Sequence, residues 1–246
     1  MDEQLGRLLR EVDRKKTELN ERSRPAPEVV ESHQERFLYE SVFLNNTMEG
    51  NQLTADEVEL VLKEDAVIAG KPLSDHMMVF GYRNAMRLAD SYVEQQRRIG
   101  EYELFMLHAR MLIDKPEMAG EYRAYNLMIK GHRPTSHEKI AQKMAQLVEA
   151  QPPEYAHTIE STAFFHLRLA KIHPFGDGNG RVGRLIINIM LEQAQLPPVI
   201  IRIEDRPAYY AALNAYDGLD GNRQVQPMQV LLAELVIREL DILLAL

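Results

Sequence analysis

The sequence predicts an all-α fold, a helical bundle with one small β-hairpin. Three observations lead there. Apolar residues recur at three- and four-residue spacing through most of the chain. The gaps between these stretches are short and carry Gly, Pro or capping residues. One segment alone, 114–134, departs from helical spacing, with Pro116, Gly120, Gly131 and Pro134 set around Asn126-Leu-Met-Ile-Lys130.

Taken in order, Leu5, Leu8, Leu9 and Val12 mark a first helix over about 4–20. Its charge is mixed, which suits a partner or self-association face better than a membrane surface. Arg24-Pro-Ala-Pro27 is a stiff break. A second helix follows from about Pro27 to Glu49 and stops at Gly50-Asn51. Thr54-Ala-Asp-Glu57 is a capping box that opens a third helix, to about Ala69. Ser74 and Asp75 cap a fourth, towards Gln96, and a fifth spans about Glu101 to Ile113. The segment 114–134 then reads as loop and hairpin. Helices resume over about 136–150 and 153–172, with a turn at Gln151-Pro-Pro153. A strongly apolar helix runs from Gly180 to Gln195 and is ended by Pro197-Pro198. Arg206-Pro207 starts a helix to about Tyr216, and a last one covers about 227–246. The organisation expected is a helical extension over 1–36, a main helical domain over 37–217 and a C-terminal helix over 218–246 packed on it.

Composition narrows the function. The chain has 246 residues, 45% hydrophobic and 27% charged, with no Cys. Without Cys there is no disulfide scaffold, cysteine nucleophile or thiolate zinc site. The net charge of −8 argues against a nonspecific nucleic-acid binder, so no nucleic-acid partner is expected. No apolar run approaches the length of a membrane span, and no signal peptide is seen. A cytoplasmic location is therefore the expectation.

The chemistry concentrates in His173-Pro-Phe-Gly-Asp-Gly-Asn-Gly-Arg-Val-Gly-Arg184. Three glycines with an Asp and an Asn precede a helix, whose free N–H groups and positive end face the same place. This is the outline of a phosphate cradle. Arg181 and Arg184, three apart, share a helix face and suit bidentate phosphate contacts. Asp177 beside the cradle suits Mg²⁺, which takes one or two carboxylates together with phosphate oxygens. His173 can take a proton from an attacking hydroxyl. Together these residues describe transfer of a phosphorus-centred group from a nucleotide. P-loop, dinucleotide-binding and EF-hand readings fail on their own spacing rules. His108, His132 and His137 lack the spacing of a zinc site. His166 reads as a packing or hydrogen-bonding residue. Glu121 and Arg123 read as surface residues or local ion pairs.

These twelve residues match every fixed position of the Fic signature, His-x-Phe-x-Asp/Glu-Gly-Asn-Gly-Arg-x-x-Arg. The chain resembles the Fic family over about 37–217. The resemblance implies a Fic-type bundle and transfer of AMP from ATP, with Mg²⁺, to a Ser, Thr or Tyr hydroxyl of a target protein. By that likeness His173 is the base and Asp177 the metal ligand. Gly178, Asn179 and Gly180 form the anion hole, and Arg181 and Arg184 meet the β- and γ-phosphates. Leu127, Met128, Ile129 and Lys130 become a flap that pairs with the target backbone. Tyr209 and Tyr210 fall where the family lines its adenine pocket. Where family members can carry Asn, this sequence has Asp217.

A second likeness lies upstream. Glu49-Gly-Asn51 resembles the inhibitory motif Ser/Thr-x-x-x-Glu-Gly/Asn of Fic proteins whose blocking helix precedes the core, with Asn45 in place of Ser or Thr. Glu49 would then pair with Arg184 and hold the site meant for the γ-phosphate. Three alternatives stay open at this point. The same fold acts mainly in removing AMP, it transfers another phosphate-containing group, or it binds nucleotide as a regulator without turnover. The first and last helices also offer surfaces for a homo-oligomer.

Overall fold

The computed structural model describes residues 3–23, 25–129, 132–149, 157–217 and 222–246. Ten α-helices run through them. α1 (Glu3–Glu21) carries Leu5, Leu9 and Val12 on one stripe and packs them with α10 (Gln226–Ala245). α2 (Pro27–Thr47) begins on a proline, whose missing N–H costs nothing in a first turn. Its buried residues, Ser41, Val42, Leu44, Asn45 and Asn46, all lie in its second half. α3 (Ala55–Glu64) opens with the expected capping box, Thr54 and Glu57 bonding reciprocally at 3.2 and 2.8 Å. It ends five residues before Ala69 because Asp65 turns left-handed, with φ 51°.

α4 (Leu73–Glu94) is not capped by Ser74 or Asp75, as the sequence suggested. Pro72 stands at the cap, and the Asp75 carboxylate instead accepts from the Gln52 N–H at 2.8 Å. Asn51 donates to the Asp75 carbonyl at 2.9 Å. The turn that follows α2 is thereby tied to α4. α5 (Glu101–Met111), α6 (Ile140–Glu149), α7 (Thr158–Ile172), α8 (Asn179–Gln193) and α9 (Arg206–Asp217) complete the bundle. The start expected for α7, near Pro153, lies outside the described residues, as does the turn at 151–153.

Two apolar cores meet on α8. Val182, Leu185, Ile186 and Ile189 join Val79, Tyr82, Leu104, Leu107 and Met111 of α4 and α5. Ile187 and Leu191 join residues of α1, α7, α9 and α10. A helix clothed on both sides must be apolar nearly all round, which the sequence of α8 satisfies. α4 and α5 approach closely at Gly81, where an added Cβ would stand 2.1 Å from the Met111 carbonyl oxygen.

The hairpin expected within 114–134 is not formed among the described residues. One isolated antiparallel bridge joins Ile129 and His132, with His132 N–H bonded to the Ile129 carbonyl at 3.0 Å. The rest is a loop with a short 3₁₀ turn at Pro116–Met118. Its arms are held by a side chain in place of a ladder. Arg123 donates to the carbonyls of Tyr125 and Thr135, which removes acceptors a second strand would need. Lys130 of the expected flap lies outside the described residues. No helix among them is long and apolar enough to cross a membrane.

Gly81→Ala should therefore destabilise the fold by about 1–3 kcal/mol through overpacking against rigid backbone. A fall of about 2–4 °C in Tm per kcal/mol, read by thermal unfolding, checks this.

Candidate active site

The site begins where α7 stops. His173 turns left-handed (φ 50°, ψ 61°), while its N–H still bonds Leu169 at 2.9 Å. This turn throws residues 174–178 back towards α8. The Asn179 side chain staples that loop, accepting from Phe175 N–H at 2.9 Å and donating to the Phe175 carbonyl at 2.9 Å. Gly178 takes φ 74° at the head of α8, a conformation glycine adopts without strain. His108, buried on α5, stacks on Phe175 with ring centroids 3.9 Å apart. Its Nδ1 accepts from Gly120 N–H at 2.9 Å, so Nε2 carries the proton and donates to the Asp177 carbonyl at 3.0 Å. With the loop fixed, the unbonded amides of the first turn of α8 and its positive end face a cleft of about 560 Å³.

Arg184, one turn into α8, lines this cleft and is 7% exposed. A buried cation needs partners. Its Nη2 meets Glu49 Oε1 at 2.9 Å and its Nε donates to Asn45 Oδ1 at 2.5 Å. Burial works against its charge, but the neighbouring Tyr209 and Glu49 outweigh burial and raise its pKa. Glu49 sits just past the end of α2, its backbone held by a bond from its N–H to the Asn46 carbonyl at 2.9 Å. An added Cβ at Gly180 would lie 2.9 Å from Arg184 Nη1 and 3.0 Å from Glu49 Oε1, so the pair rests directly on the helix backbone.

Asp177 also lines the cleft. Burial disfavours its charge, yet Lys115, the Gly178 N–H and Arg181 together hold its pKa below the usual carboxylate value. Arg181 is 1% exposed and stands behind the cleft wall, 3.8 Å from Asp177 Oδ1, with no hydrogen-bond partner at Nε or Nη1. Burial, helped by the nearby His132, drives the His173 pKa down to about 4. A hydrogen bond between its ring and the Ala170 backbone leaves the second ring nitrogen as proton acceptor. The His173 carbonyl accepts from Arg123 Nε at 2.9 Å, and the Pro174 carbonyl accepts from Arg123 N–H at 3.0 Å.

A base, a carboxylate, an anion-binding helix end and a buried cation thus border one cleft. Residues 98–191 match the model of the Fic/DOC family. The chain carries a Fic/DOC domain over those residues. It is 31% identical over 212 residues to a protein adenylyltransferase Fic of Nematostella vectensis, covering 84% of this chain and 49% of that protein. A protein adenylyltransferase fic-1 of Caenorhabditis elegans is 32% identical over 184 residues, 72% of this chain and 36% of the relative. The chain spans about half the length or less of these curated relatives. Among solved structures, C. elegans Fic-1 (aa134–508) superposes with a TM-score of 0.87 at 23% identity, covering 98% of this chain and 72% of that one. A Fic domain containing signaling protein from Bacteroides thetaiotaomicron does so with 0.84 at 24% identity, covering 96% and 95%.

Against the Fic signature, His173, Asp177, Gly178, Asn179, Gly180 and Arg184 all border the cleft, together with Glu49, Ile129, Tyr209 and Tyr210. Arg181 does not. The Asn179 side chain is spent on Phe175, which leaves only its backbone to meet an anion. Tyr209 is buried and bonds His166 Nε2 through its hydroxyl at 3.0 Å; Tyr210 is half exposed and meets Tyr209 edge-on. His166 is thus the hydrogen-bonding residue its sequence context suggested. Asn45 reaches Arg184 through its amide oxygen, so the change from Ser or Thr keeps an acceptor there. Arg123 corrects the sequence reading: it is 5% exposed and binds backbone carbonyls, and among the described residues it takes no part in an ion pair. His108 was missed, because nothing in its spacing on an apolar helix face signals a loop partner 69 residues away.

His166 is buried neutral, its pKa lowered from 6.5 to about 4 by burial and by Arg184. The unfolded chain binds the extra proton between these values, so stability must fall as pH drops from 6.5 towards 4. This group alone should cost about 2 kcal/mol by pH 5, read by urea unfolding at pH 7 and pH 5.

Proposed function

We propose that the chain is a protein adenylyltransferase restrained by Glu49, moving AMP from ATP to a hydroxyl of a protein acceptor. The observation that carries this reading is the sharing of one cleft by His173, the head of α8 and Arg184, with Glu49 already on Arg184. The names of the curated relatives support it. So does a structural neighbour, IbpAFic2-H3717A in complex with adenylylated Cdc42, with a TM-score of 0.51 at 18% identity over 88% of this chain and 72% of that one.

In this reading the acceptor hydroxyl gives its proton to the unprotonated nitrogen of His173. The oxygen attacks the α-phosphorus, the bond to the bridging oxygen of the β-phosphate breaks, and pyrophosphate leaves. Backbone amides of Asn179 and Gly180 steady the charge on the phosphates, and the Gly178 N–H joins them once the Asp177 carboxylate that it now bonds turns away. Arg184 receives the γ-phosphate once Glu49 has left it. Arg181, buried with two unmatched donors, adds positive potential from behind. Tyr209 and Tyr210 form the wall for the nucleobase. Leu127 to Lys130 offer the flap to the acceptor backbone. Met128, 99% exposed, is its outermost apolar contact.

The donor set fits Mg²⁺. Among the described residues no three His, Asp or Glu side chains gather into a cage. A single ionised carboxylate, Asp177, borders the phosphate cradle, and Mg²⁺ typically takes one or two carboxylates and completes its shell with phosphate oxygens and water. Asp177 would hold the ion after parting from Lys115, and the ion would supply neutralisation of phosphate charge. Glu49 restrains transfer by occupying Arg184, so that ATP cannot settle with its α-phosphorus in line with the acceptor.

Glu49→Gly should gain about 329 Da per modified site on incubation with ATP and Mg²⁺, whereas the unaltered chain gains little. Glu49→Gly with His173→Ala should gain nothing. Intact-mass spectrometry decides, and equal labelling with and without Glu49 overturns the restraint. The acid limb of the Glu49→Gly rate should follow a group titrating at about 4, well below free histidine, because His173 works as a neutral base. An acid limb near 6.5 in a pH–rate profile would contradict that assignment.

A further inference from the structure

Asp217, the last residue of α9, has a side chain only 9% exposed and lies on the wall of the cleft. Oδ1 pairs with Lys171 Nζ and stands 3.6 Å from Arg223 Nη1, while Oδ2 lies against His132 Nδ1. His132 belongs to the far arm of the flap loop, and its ring lies 5.9 Å from that of His173. Lys171, two residues before His173, donates from Nζ to the Arg133 carbonyl at 2.7 Å. The Lys171 carbonyl accepts from Thr135 N–H at 3.2 Å. The near arm of the flap has a separate anchor, Arg123, which holds the carbonyls of His173 and Tyr125. One carboxylate therefore joins three elements: α9, the end of α7 and the flap arm over 132–135.

We propose that Asp217 is a positioning residue for the protein acceptor, holding the far arm of the flap beside His173 through His132 and Lys171. The inference rests on the adenylyltransferase reading for the word acceptor, but not for the clasp itself. The geometry favours the acceptor over the nucleotide because the two side chains nearest the carboxylate, His132 and Lys171, lie on the flap arm or hold it: His132 is part of the arm, and Lys171 bonds the Arg133 carbonyl. Loss of the carboxylate also leaves the half-buried Lys171 ammonium facing no anion, which loosens Arg133 and Thr135 together. The Arg123 anchor makes no contact with Asp217, so the near arm and the catalytic loop stay in place.

The test compares the full chain with Asp217→Ala, Lys171→Met and Lys171→Arg, all in the Glu49→Gly background. Hydrogen exchange by mass spectrometry reads the flap without reference to activity. Amides of His132, Arg133 and Thr135 should exchange about tenfold faster in Asp217→Ala and Lys171→Met, with the first turn of α8 unchanged. Lys171→Arg should restore slow exchange, because its guanidinium can still span Asp217 and the Arg133 carbonyl. Auto-labelling should show a rate at saturating ATP reduced about tenfold in Asp217→Ala, with KM for ATP within about twofold. A raised KM for ATP with unchanged flap exchange overturns the proposal and gives Asp217 to the nucleotide. Unchanged exchange in every variant overturns it outright. If Glu49→Gly itself fails to label, the adenylyltransferase reading falls, and the exchange result decides the clasp alone.

Discussion

The site turns on one constraint: the head of α8 carries a fixed cation, Arg184, out of water, and that charge must be met. A guanidinium 7% exposed is largely cut off from bulk solvent, and its pKa stays high, so it does not escape by losing its proton. Glu49 and the Asn45 amide oxygen meet it in the resting chain. A phosphate offers the same charge in the same place. On the proposed function, restraint and substrate binding are two answers to one electrostatic demand, and they exclude each other. The hold of α2 suits this exchange, since only its second half is buried and the turn beyond it is pinned to α4 by Asn51 and Asp75.

Around that cation the catalytic loop is made rigid by side chains bonding to backbone. Asn179 closes on Phe175, His108 supports Asp177 from below, and Arg123 gathers the carbonyls of His173 and Tyr125. Each is a buried polar group whose partners are main-chain atoms, an arrangement that fixes a loop without secondary structure. The left-handed turn at His173 is tolerable for the same reason, because its neighbours over-determine its position. The imidazole is then held neutral by burial, as its proposed role as a base requires.

Much of this was legible beforehand. The helical spacing of Leu104, Leu107 and Met111, or of Ile186 and Ile189, announces buried faces. The twelve residues from His173 announce an anion site at a helix head. Glu49 could be paired with Arg184 on its motif alone, and the two meet at 2.9 Å. What the sequence hid was long-range and polar. Asp75 reads as a helix cap but serves Gln52; Arg123 reads as a surface charge but is buried. Arg181 reads as a phosphate ligand but stands behind the wall. Spacing predicts which side of a helix faces inward, and it is silent on which distant carbonyl an inward-facing cation will find. The flap misled for a related reason: a short apolar run resembles a strand, and a single guanidinium took the acceptors a partner strand would have used.

The double burial of α8 has one more implication, for how the molecule fails. Ile186 and Ile189 belong to one core and Ile187 and Leu191 to the other, so the motif helix is a party wall between two apolar rooms. It cannot fray by itself without exposing both. Damage to either core, however remote from the cleft, therefore reaches the head of α8 that borders it. Tolerance to sequence drift then divides sharply within the chain. The first half of α2 and the exposed loop around Met128 are free to vary, while the interior of both rooms is held to the packing that fixes α8.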